Sequence, residues 1–332
     1  MSRRRLLVTG AAGFVGARFV ASCAVRGIDV VSVDDPAYFA ARREHAGIDF
    51  GAIVDRDALF DWLARELQGL AGIVHLGACT DTTELDLAYL QRVNLHYSQR
   101  LWQYACTHGL PFVYASSAAT YGDGSVGYDD DEALIPRLRP LNPYGDSKQQ
   151  FDLWALAEER AGRRPPRWCG FKFFNVYGFG ERHKRRMSSV VLQAFDQIRA
   201  GDGVKLFKSG RPDVADGHQR RDFIYVDDVV RALHFALDAP IARGIFNLGT
   251  GTARTFLDLA RATFAALGVA ERIEFIPMPD DLRARYQYVT EARVDRLRAV
   301  GFSAAFTTLE AGVRAYVDEL LKRQYTNPRA EP

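Results

Sequence analysis

Two stretches of the chain carry side chains that could do proton chemistry. The first is NPYGDSK, residues 142–148, where Tyr144 and Lys148 stand four residues apart. On a helix that spacing puts both side chains on one face, one turn from each other. A phenol with an ordinary pKa near 10 is a poor base at neutral pH. A neighbouring ammonium stabilises the phenolate and moves it toward a useful range. Ser117 lies 27 residues earlier, in ASSAATYG (115–122); its hydroxyl could hydrogen-bond a substrate oxygen that gains or loses charge. The second stretch is GERHKRRMSSV, 180–190, with five consecutive basic residues from Arg182 to Arg186. It follows the apolar run FKFFNVYG. Such a block could be a solvated loop, a phosphate clamp, a nucleic-acid patch or part of an active site.

These groups need elements to hold them. RLLVTG (5–10), IDVVSVD (28–34), AGIVHLGA (71–78) and LPFVYASS (110–117) read as short buried strands, and RWCGFKFFNVYG (167–178) contains a fifth. Helical spacing of apolar residues runs over 14–27, where Gly27 is a stop signal, and over 57–68, 84–108 and 147–162. Strands alternating with helices predict an α/β fold of the Rossmann type, a doubly wound parallel sheet covered on both faces. The C-terminal third changes character: IFNLGTG (245–251), a helix over 256–268 and IEFIPMP (273–279) suggest a smaller α/β lobe. The expected division is a larger domain over 1–175, with strands returning to it near 222–250, and a lobe built mainly from 176–330. KSGRPDVADGHQRR (208–221) reads as a flexible polar insertion.

Composition narrows the field. The chain has 332 residues, 48% hydrophobic and 25% charged, enough for a large core. A net charge of +2 gives no global field toward nucleic acid or membrane, so the basic block is a local feature. No apolar run approaches the roughly 18 residues of a membrane span. The opening MSRRRLLVTG lacks the long apolar core and cleavage site of a signal peptide, so a soluble cytoplasmic protein is expected. Cys23, Cys79, Cys106 and Cys169 lie far apart without a CxxC pair and read as reduced core thiols; no metal site is expected.

TGAAGFVGARF (9–19) places Gly10, Gly13 and Gly16 at the first strand-to-helix junction. A tight turn there lets a helix N-terminus meet a pyrophosphate. The second strand ends at Asp34, where a carboxylate can bind ribose hydroxyls, as dinucleotide sites require. Asp34 and Asp35 favour NAD over a 2′-phosphate, whereas Arg42, Arg43 and Arg56 could pair with that phosphate. Gly77 and Ala78, after the third strand, would stand beside the cofactor. A positively charged nicotinamide would join Lys148 in stabilising the Tyr144 phenolate.

Further motifs are HLGACTDTTE (75–84), GFKFFNVYG (170–178), the HK…MSS segment (183–189), KLF (205–207), RRDFIYVDDV (220–229), GIFNLGTG (244–251) and RYQ (285–287). With them the chain resembles, over nearly its whole length, the extended short-chain dehydrogenases/reductases, the NAD-dependent epimerase/dehydratase group acting on nucleotide sugars. Within that group it resembles the branch that inverts C6 of an ADP-heptose. The resemblance implies a tightly held NADP, with NAD as the alternative, and transient oxidation of C6 to a ketone that is reduced from the opposite face. It implies Tyr144 and Lys184 as the two acid/base groups, Lys148 on the ribose and Ser117 assisting. Phe14, Val15, Leu76, Cys79, Asn94 and Val176 then join the cofactor contacts. Asn175, Arg186, Gln193, Arg221, Tyr286 and the loop Phe207, Lys208, Ser209 and Gly210 fall at substrate contacts. A homo-oligomer such as a pentamer is implied, with a product used in lipopolysaccharide core synthesis or in a secondary metabolite.

The chain departs from the branch at four places. Arg186 stands where a small residue is usual and Gln193 where a histidine is. Residues 211–219 look inserted, and the usual Asn and Lys after Asp34 are missing. The rival enzyme is a 4-epimerase or 4,6-dehydratase. A dehydratase would place an acidic pair where Ala118 and Ala119 follow the serine. A non-enzymatic NAD(P)-sensing protein would have no use for an intact Ser117, Tyr144 and Lys148. His75 is expected to be a structural hydrogen-bonder, Tyr121 and Tyr177 to line the cleft, and Phe171, Phe173 and Phe174 to be core.

Overall fold

Leu6, Leu7 and Val8 are all completely buried. A strand that is apolar on both faces must sit in the middle of a sheet covered on both sides. In the computed structural model, which describes residues 4–66, 69–239, 241, 243–279 and 286–323, that strand is β1 (Arg5–Thr9). It pairs in parallel with β2 (Asp29–Asp34) on one side and β4 (Leu70–His75) on the other. Beyond these lie β3 (Ala52–Asp55), β5 (Phe112–Ser117), β6 (Trp168–Phe173) and β10 (Ile245–Leu248), in the order β10-β6-β5-β4-β1-β2-β3. The chain reverses its direction of travel between β1 and β4. A ligand crevice opens at the carboxyl ends of the strands at such a point.

Three strands take places that the apolar runs do not announce. β3 has one buried residue in four, so it carries no apolar signal; it is an edge strand. β10 falls in the 222–250 stretch where the sequence predicts strands returning to the larger domain, although IFNLGTG by itself reads with the small lobe, and it is fully buried beside β6. The run over 167–178 breaks at Phe174, whose N–H donates to Leu248 O (3.0 Å). After it, β7 (Asn175–Tyr177) leaves the large sheet and joins β9 (Arg220–Tyr225) and β11 (Ala253–Thr255) in a three-stranded sheet. A two-stranded parallel pair, β8 (Val204–Phe207) with β12 (Ile273–Ile276), completes the small lobe. Changing sheets at Phe174 brings Asn175 to the crevice.

Apolar layers fill both faces of the large sheet. Phe19, Val20, Leu233 and Leu237 pack against one, and Trp102, Phe112, Phe151 and Trp168 against the other. Among the described residues no helix is long and apolar enough to cross a membrane.

Two helices differ from their sequence reading in ways that matter for the site. The helix expected from 147 runs over Pro143–Arg160: Asn142 caps it by accepting from Gly145 N (2.8 Å), and Pro143 suits the first position because it lacks an N–H. Tyr144 therefore stands in the first turn. The pattern over 84–108 divides into Leu87–Leu90, a π-helical turn at Gln91–His96 and Tyr97–Thr107. The wide turn carries Asn94.

Candidate active site

The glycine-rich turn is built for close backbone approach. Gly10 has φ 68°, and a Cβ there would lie 2.6 Å from Gly77 N. A Cβ at Gly16 would lie 2.0 Å from Gly10 O. A side chain at Gly10 would force this turn away from the one after β4, and a side chain at Gly16 would push its own helix off the glycine turn. Gly13 N-caps the helix Phe14–Val25 with no side-chain cap among the described residues, and Phe14 and Val15 open its first turn. Asp34 accepts from Ala12 N (3.1 Å) and Asp35 N (2.9 Å), which holds its carboxylate at the end of β2. Burial raises its pKa against those two N–H groups and Arg42 and Arg56. Arg42 donates to Ala12 O and stacks 4.5 Å from the Tyr38 ring. Asp35 caps the following helix through Ala37 N (3.0 Å) and lies 3.6 Å from Arg56. Uncapped helix N–H groups, a bare glycine cradle and a ribose-height carboxylate fit a dinucleotide.

After β4 the chain is pinned to this turn. Leu76 N donates to Thr9 O (3.1 Å) and Gly77 N to Thr9 Oγ1 (3.2 Å). His75 is buried between Thr9 Oγ1 (2.6 Å) and Ser98 Oγ (2.8 Å), the structural role expected of it. Ala78 follows in the same turn, and Cys79 is gripped at both backbone atoms by Asn94: Cys79 N donates to Oδ1 (2.8 Å) and Nδ2 donates to Cys79 O (3.0 Å). Asn94 Nδ2 also donates to Ser147 Oγ (2.9 Å), whose hydroxyl donates to Tyr144 O (2.7 Å). The π turn thus links the turn after β4 to the first turn of the helix that carries Tyr144.

Ser117, Tyr144 and Asn175 line one cleft of about 310 Å³. Burial raises the Tyr144 phenol, and a hydrogen bond with the Ser117 side chain opposes it. Lys148 is buried behind, donating to Ala115 O (2.9 Å), and burial pushes its ammonium down to about 8. The cleft is otherwise lined by neutral groups. Thr82, Thr83, Asn142, Gln287 and Thr290 belong to it, and none of these was singled out individually from sequence, although Gln287 lies in the RYQ run. Arg285 of that run lies outside the described residues. Phe173 and Phe174, expected in the core, also form part of the wall, because the chain changes sheets beside them. Tyr121 and Tyr177 do not line the cleft as expected. Both are core residues: Tyr121 donates to Asn247 Oδ1 (2.7 Å) and Tyr177 to Leu309 O (3.3 Å).

The basic block forms a 3-10 segment, Arg182–Met187, entered from Glu181. Arg185 holds φ 50°, the one non-glycine in the left-handed region among the described residues. Arg182 is paired with Asp196 (2.9 Å). Arg186 Nη2 reaches across to Thr83 Oγ1 (2.6 Å) at the cleft wall. Gln193 donates to Ser188 O (2.9 Å) and Arg186 O (3.4 Å), holding the segment's end. Lys184 points toward Phe14, 5.4 Å from its ring, at the start of the helix that opens on the glycine turn. Val176 packs against the same apolar groups.

On the far side, Arg221 is buried between Tyr286 (5.0 Å) and Phe256 (5.5 Å) and donates to Arg220 O (2.9 Å). Among the described residues it has no acidic partner, and burial lowers its pKa. The segment at Phe207–Gly210 is tied in place: Lys208 N donates to Ile276 O (2.8 Å), Ser209 N to Asp216 Oδ1 (2.7 Å) and Gly210 N to Tyr288 Oη (3.0 Å). The 208–221 loop is therefore bridged by side chains along its length.

Comparison with known proteins places the fold and the family. The NAD dependent epimerase/dehydratase family matches residues 6–249. An ADP-L-glycero-D-manno-heptose-6-epimerase of Nitratidesulfovibrio vulgaris is 44% identical, covering 95% of this chain and 97% of its own. The protein of the same name from Fusobacterium nucleatum is 41% identical over 96% of this chain and 98% of its own. Among solved structures, the UDP-glucose 4-epimerase of Thermus thermophilus in complex with NAD superposes with a TM-score of 0.76 at 25% identity, over 96% of this chain and 99% of its own. The chain belongs to the NAD dependent epimerase/dehydratase family.

Proposed function

We propose that this protein inverts C6 of an ADP-heptose, converting ADP-D-glycero-D-manno-heptose to its L-glycero epimer. The observation that carries this reading is one conjunction. Relatives 41–44% identical end to end bear that activity in their names, and the cleft keeps Ser117 and Tyr144 on its wall with Lys148 behind. The larger lobe, residues 1–175 with β10 returning from the 222–250 stretch, would hold the cofactor, and 176–330 would mainly shape the substrate side.

Gly10, Gly13 and Gly16 with the first turn after them would hold the dinucleotide diphosphate, Asp34 the adenosine ribose, and Lys148 the second ribose. NAD is favoured over NADP. The Asp34 carboxylate would repel a 2′-phosphate, while Arg42 is engaged with Ala12 O and Tyr38 and Arg56 faces Asp35. Bound there, a nicotinamide supplies the reversible oxidation that takes the sugar carbon to a ketone and back. Tyr144 exchanges the proton of the C6 hydroxyl, with Ser117 bonded to the same oxygen and Lys148 stabilising the phenolate. Lys184, arriving from the basic segment, exchanges the proton from the other side. Arg221 meets the substrate diphosphate between two aromatic rings.

Incubation with ADP-D-glycero-D-manno-heptose, followed by proton NMR, is expected to show the 6-epimer. Absence of turnover, or inversion at C4 of UDP-glucose instead, would sink the substrate assignment. Mass spectrometry of the cofactor released on denaturation is expected to give NAD; a bound 2′-phosphate would overturn the reading of Asp34.

A further inference from the structure

Asp152 lies on the same helix as the proposed acid/base pair, one turn beyond Lys148 and two beyond Tyr144. It is completely buried, as is Lys172 of β6. Its carboxylate accepts from Tyr114 Oη (2.9 Å), Ser116 Oγ (2.7 Å) and Lys172 Nζ (2.6 Å). Lys172 Nζ also donates to Thr120 Oγ1 (2.7 Å), and that hydroxyl donates to Ser117 O (2.8 Å). A continuous chain of hydrogen bonds thus runs from the helix, through two buried charges, to the backbone of the serine. A buried ion pair is weak support for stability, since apolar side chains of similar shape often do as well. Its position under the reaction centre asks for another role.

We propose that the Asp152–Lys172 pair is a positioning device for the reaction centre: it fixes the Ser117 end of β5 against the tyrosine helix and stabilises the Lys148 ammonium. This rests on the reading of Tyr144 and Lys148 as the acid/base set.

The groups facing Lys148 can be named element by element. Tyr144 and Asp152 share its helix. His75, at the end of β4, is buried with its pKa lowered to about 3 and carries no charge at neutral pH. Cys79 follows in the next turn, and β5 offers the Ala115 carbonyl. Lys172 stands on the far side of Asp152. Burial drives Lys148 down to about 8, Asp152 is the main group holding it up, and Cys79 adds less. With Asp152 charged, Lys148 keeps its proton through neutral pH and loses it above about 8. Removing that carboxylate takes away the attraction and leaves the Lys172 cation uncompensated, so Lys148 must deprotonate at lower pH.

The test is Asp152→Asn, with the pH profile of kcat/KM and a direct titration of Lys148. The chain has only six lysines, so ¹³C NMR of labelled lysine side chains can follow each one, assigned by single substitutions, without reference to activity. The expected result is an alkaline limb and a Lys148 titration both displaced downward by about one pH unit, with KM for the nucleotide sugar unchanged within about twofold. A loss of rate uniform across pH, with the Lys148 titration unmoved, would overturn the proposal. If Asp152→Asn does not fold, Asp152→Asn with Lys172→Met removes both buried charges and leaves no orphan ion; the same downward displacement is expected, and a wild-type titration in that variant overturns the proposal. A Lys148→Met enzyme that keeps the full rate overturns the underlying reading as well. An inactive Lys148→Met beside an unmoved titration overturns only the role of the pair.

Discussion

The Lys184 ammonium stands 3.8 Å from the Glu181 carboxylate, three residues before it in the chain. The two ends of this contact are unequal. Glu181 is fully buried and fixed by Ser189, which donates through its N–H (2.8 Å) and its hydroxyl (2.5 Å). Lys184 is 28% exposed and lies over the Phe14 ring. The acid is anchored, and the lysine above it is the freer of the two. Lys184→Met is expected to cut kcat by about 10² or more, the usual weight of a general acid/base group, while the cofactor stays bound. Steady-state kinetics with mass spectrometry of the retained cofactor checks both halves. Full rate in this variant would remove Lys184 from the chemistry.

Tyr144→Phe removes one hydroxyl from a side chain that is only 9% exposed. The ring keeps its packing, so the fold should survive, and the loss is expected to fall on kcat by about 10² to 10⁴. Ser117→Ala should cost less if, as proposed, the serine assists at the oxygen and Tyr144 carries the proton. Ranking the two by kcat at saturating substrate checks the assignment. A Ser117→Ala enzyme slower than Tyr144→Phe would reverse the two roles.

Much of this site was legible because it is periodic. A tyrosine and a lysine four apart announce a shared helical face, and a glycine triplet after an apolar run announces a phosphate-ready turn. What was not legible depends on chain segments meeting from afar. Tyr121 looked like a cleft residue because it follows Ser117 closely, yet its hydroxyl is claimed by Asn247 on β10. The Asp152–Lys172 pair exists only because β6 lies beside β5, in a register that opposes Lys172 to Ser116. β3 was missed because an edge strand exposed on most positions shows no apolar run. The contact between Glu181 and Lys184 spans three residues, a helical spacing visible in the sequence at the border of the basic block.

Arg221 is a buried cation that no acid among the described residues compensates, flanked by Tyr286 and Phe256. Burying such a charge costs stability unless something pairs with it. Arg221→Met is thus expected to raise the melting temperature of the substrate-free protein and to raise KM for the nucleotide sugar tenfold or more, since a hydrogen bond to a charged group is worth about 1.5–3 kcal/mol. Thermal unfolding and steady-state kinetics on the same preparation check the pair of effects. A lower melting temperature with unchanged KM would mean that Arg221 supports the fold and not the substrate.

His75 is expected to make folding stability sensitive to acid. Burial between Thr9 and Ser98 lowers its pKa to about 3, whereas in an unfolded chain it titrates near 6.5. Between those two values the unfolded state binds more protons than the folded one, so unfolding becomes more favourable as pH falls. The stability it contributes is fully present above about 6.5 and is lost progressively as pH drops toward 3. His183, lowered to about 3, and His234, lowered to about 4, act in the same direction, so the wild-type slope is a sum. His75→Gln keeps a polar group between the two hydroxyls but cannot charge. The free energy lost between pH 6.5 and 4.5 is expected to be smaller in the variant by roughly 2 kcal/mol, read from urea unfolding at the two pH values. Equal losses in variant and wild type would show that His75 is already charged in the folded protein, and that the Thr9–His75–Ser98 chain holds an imidazolium.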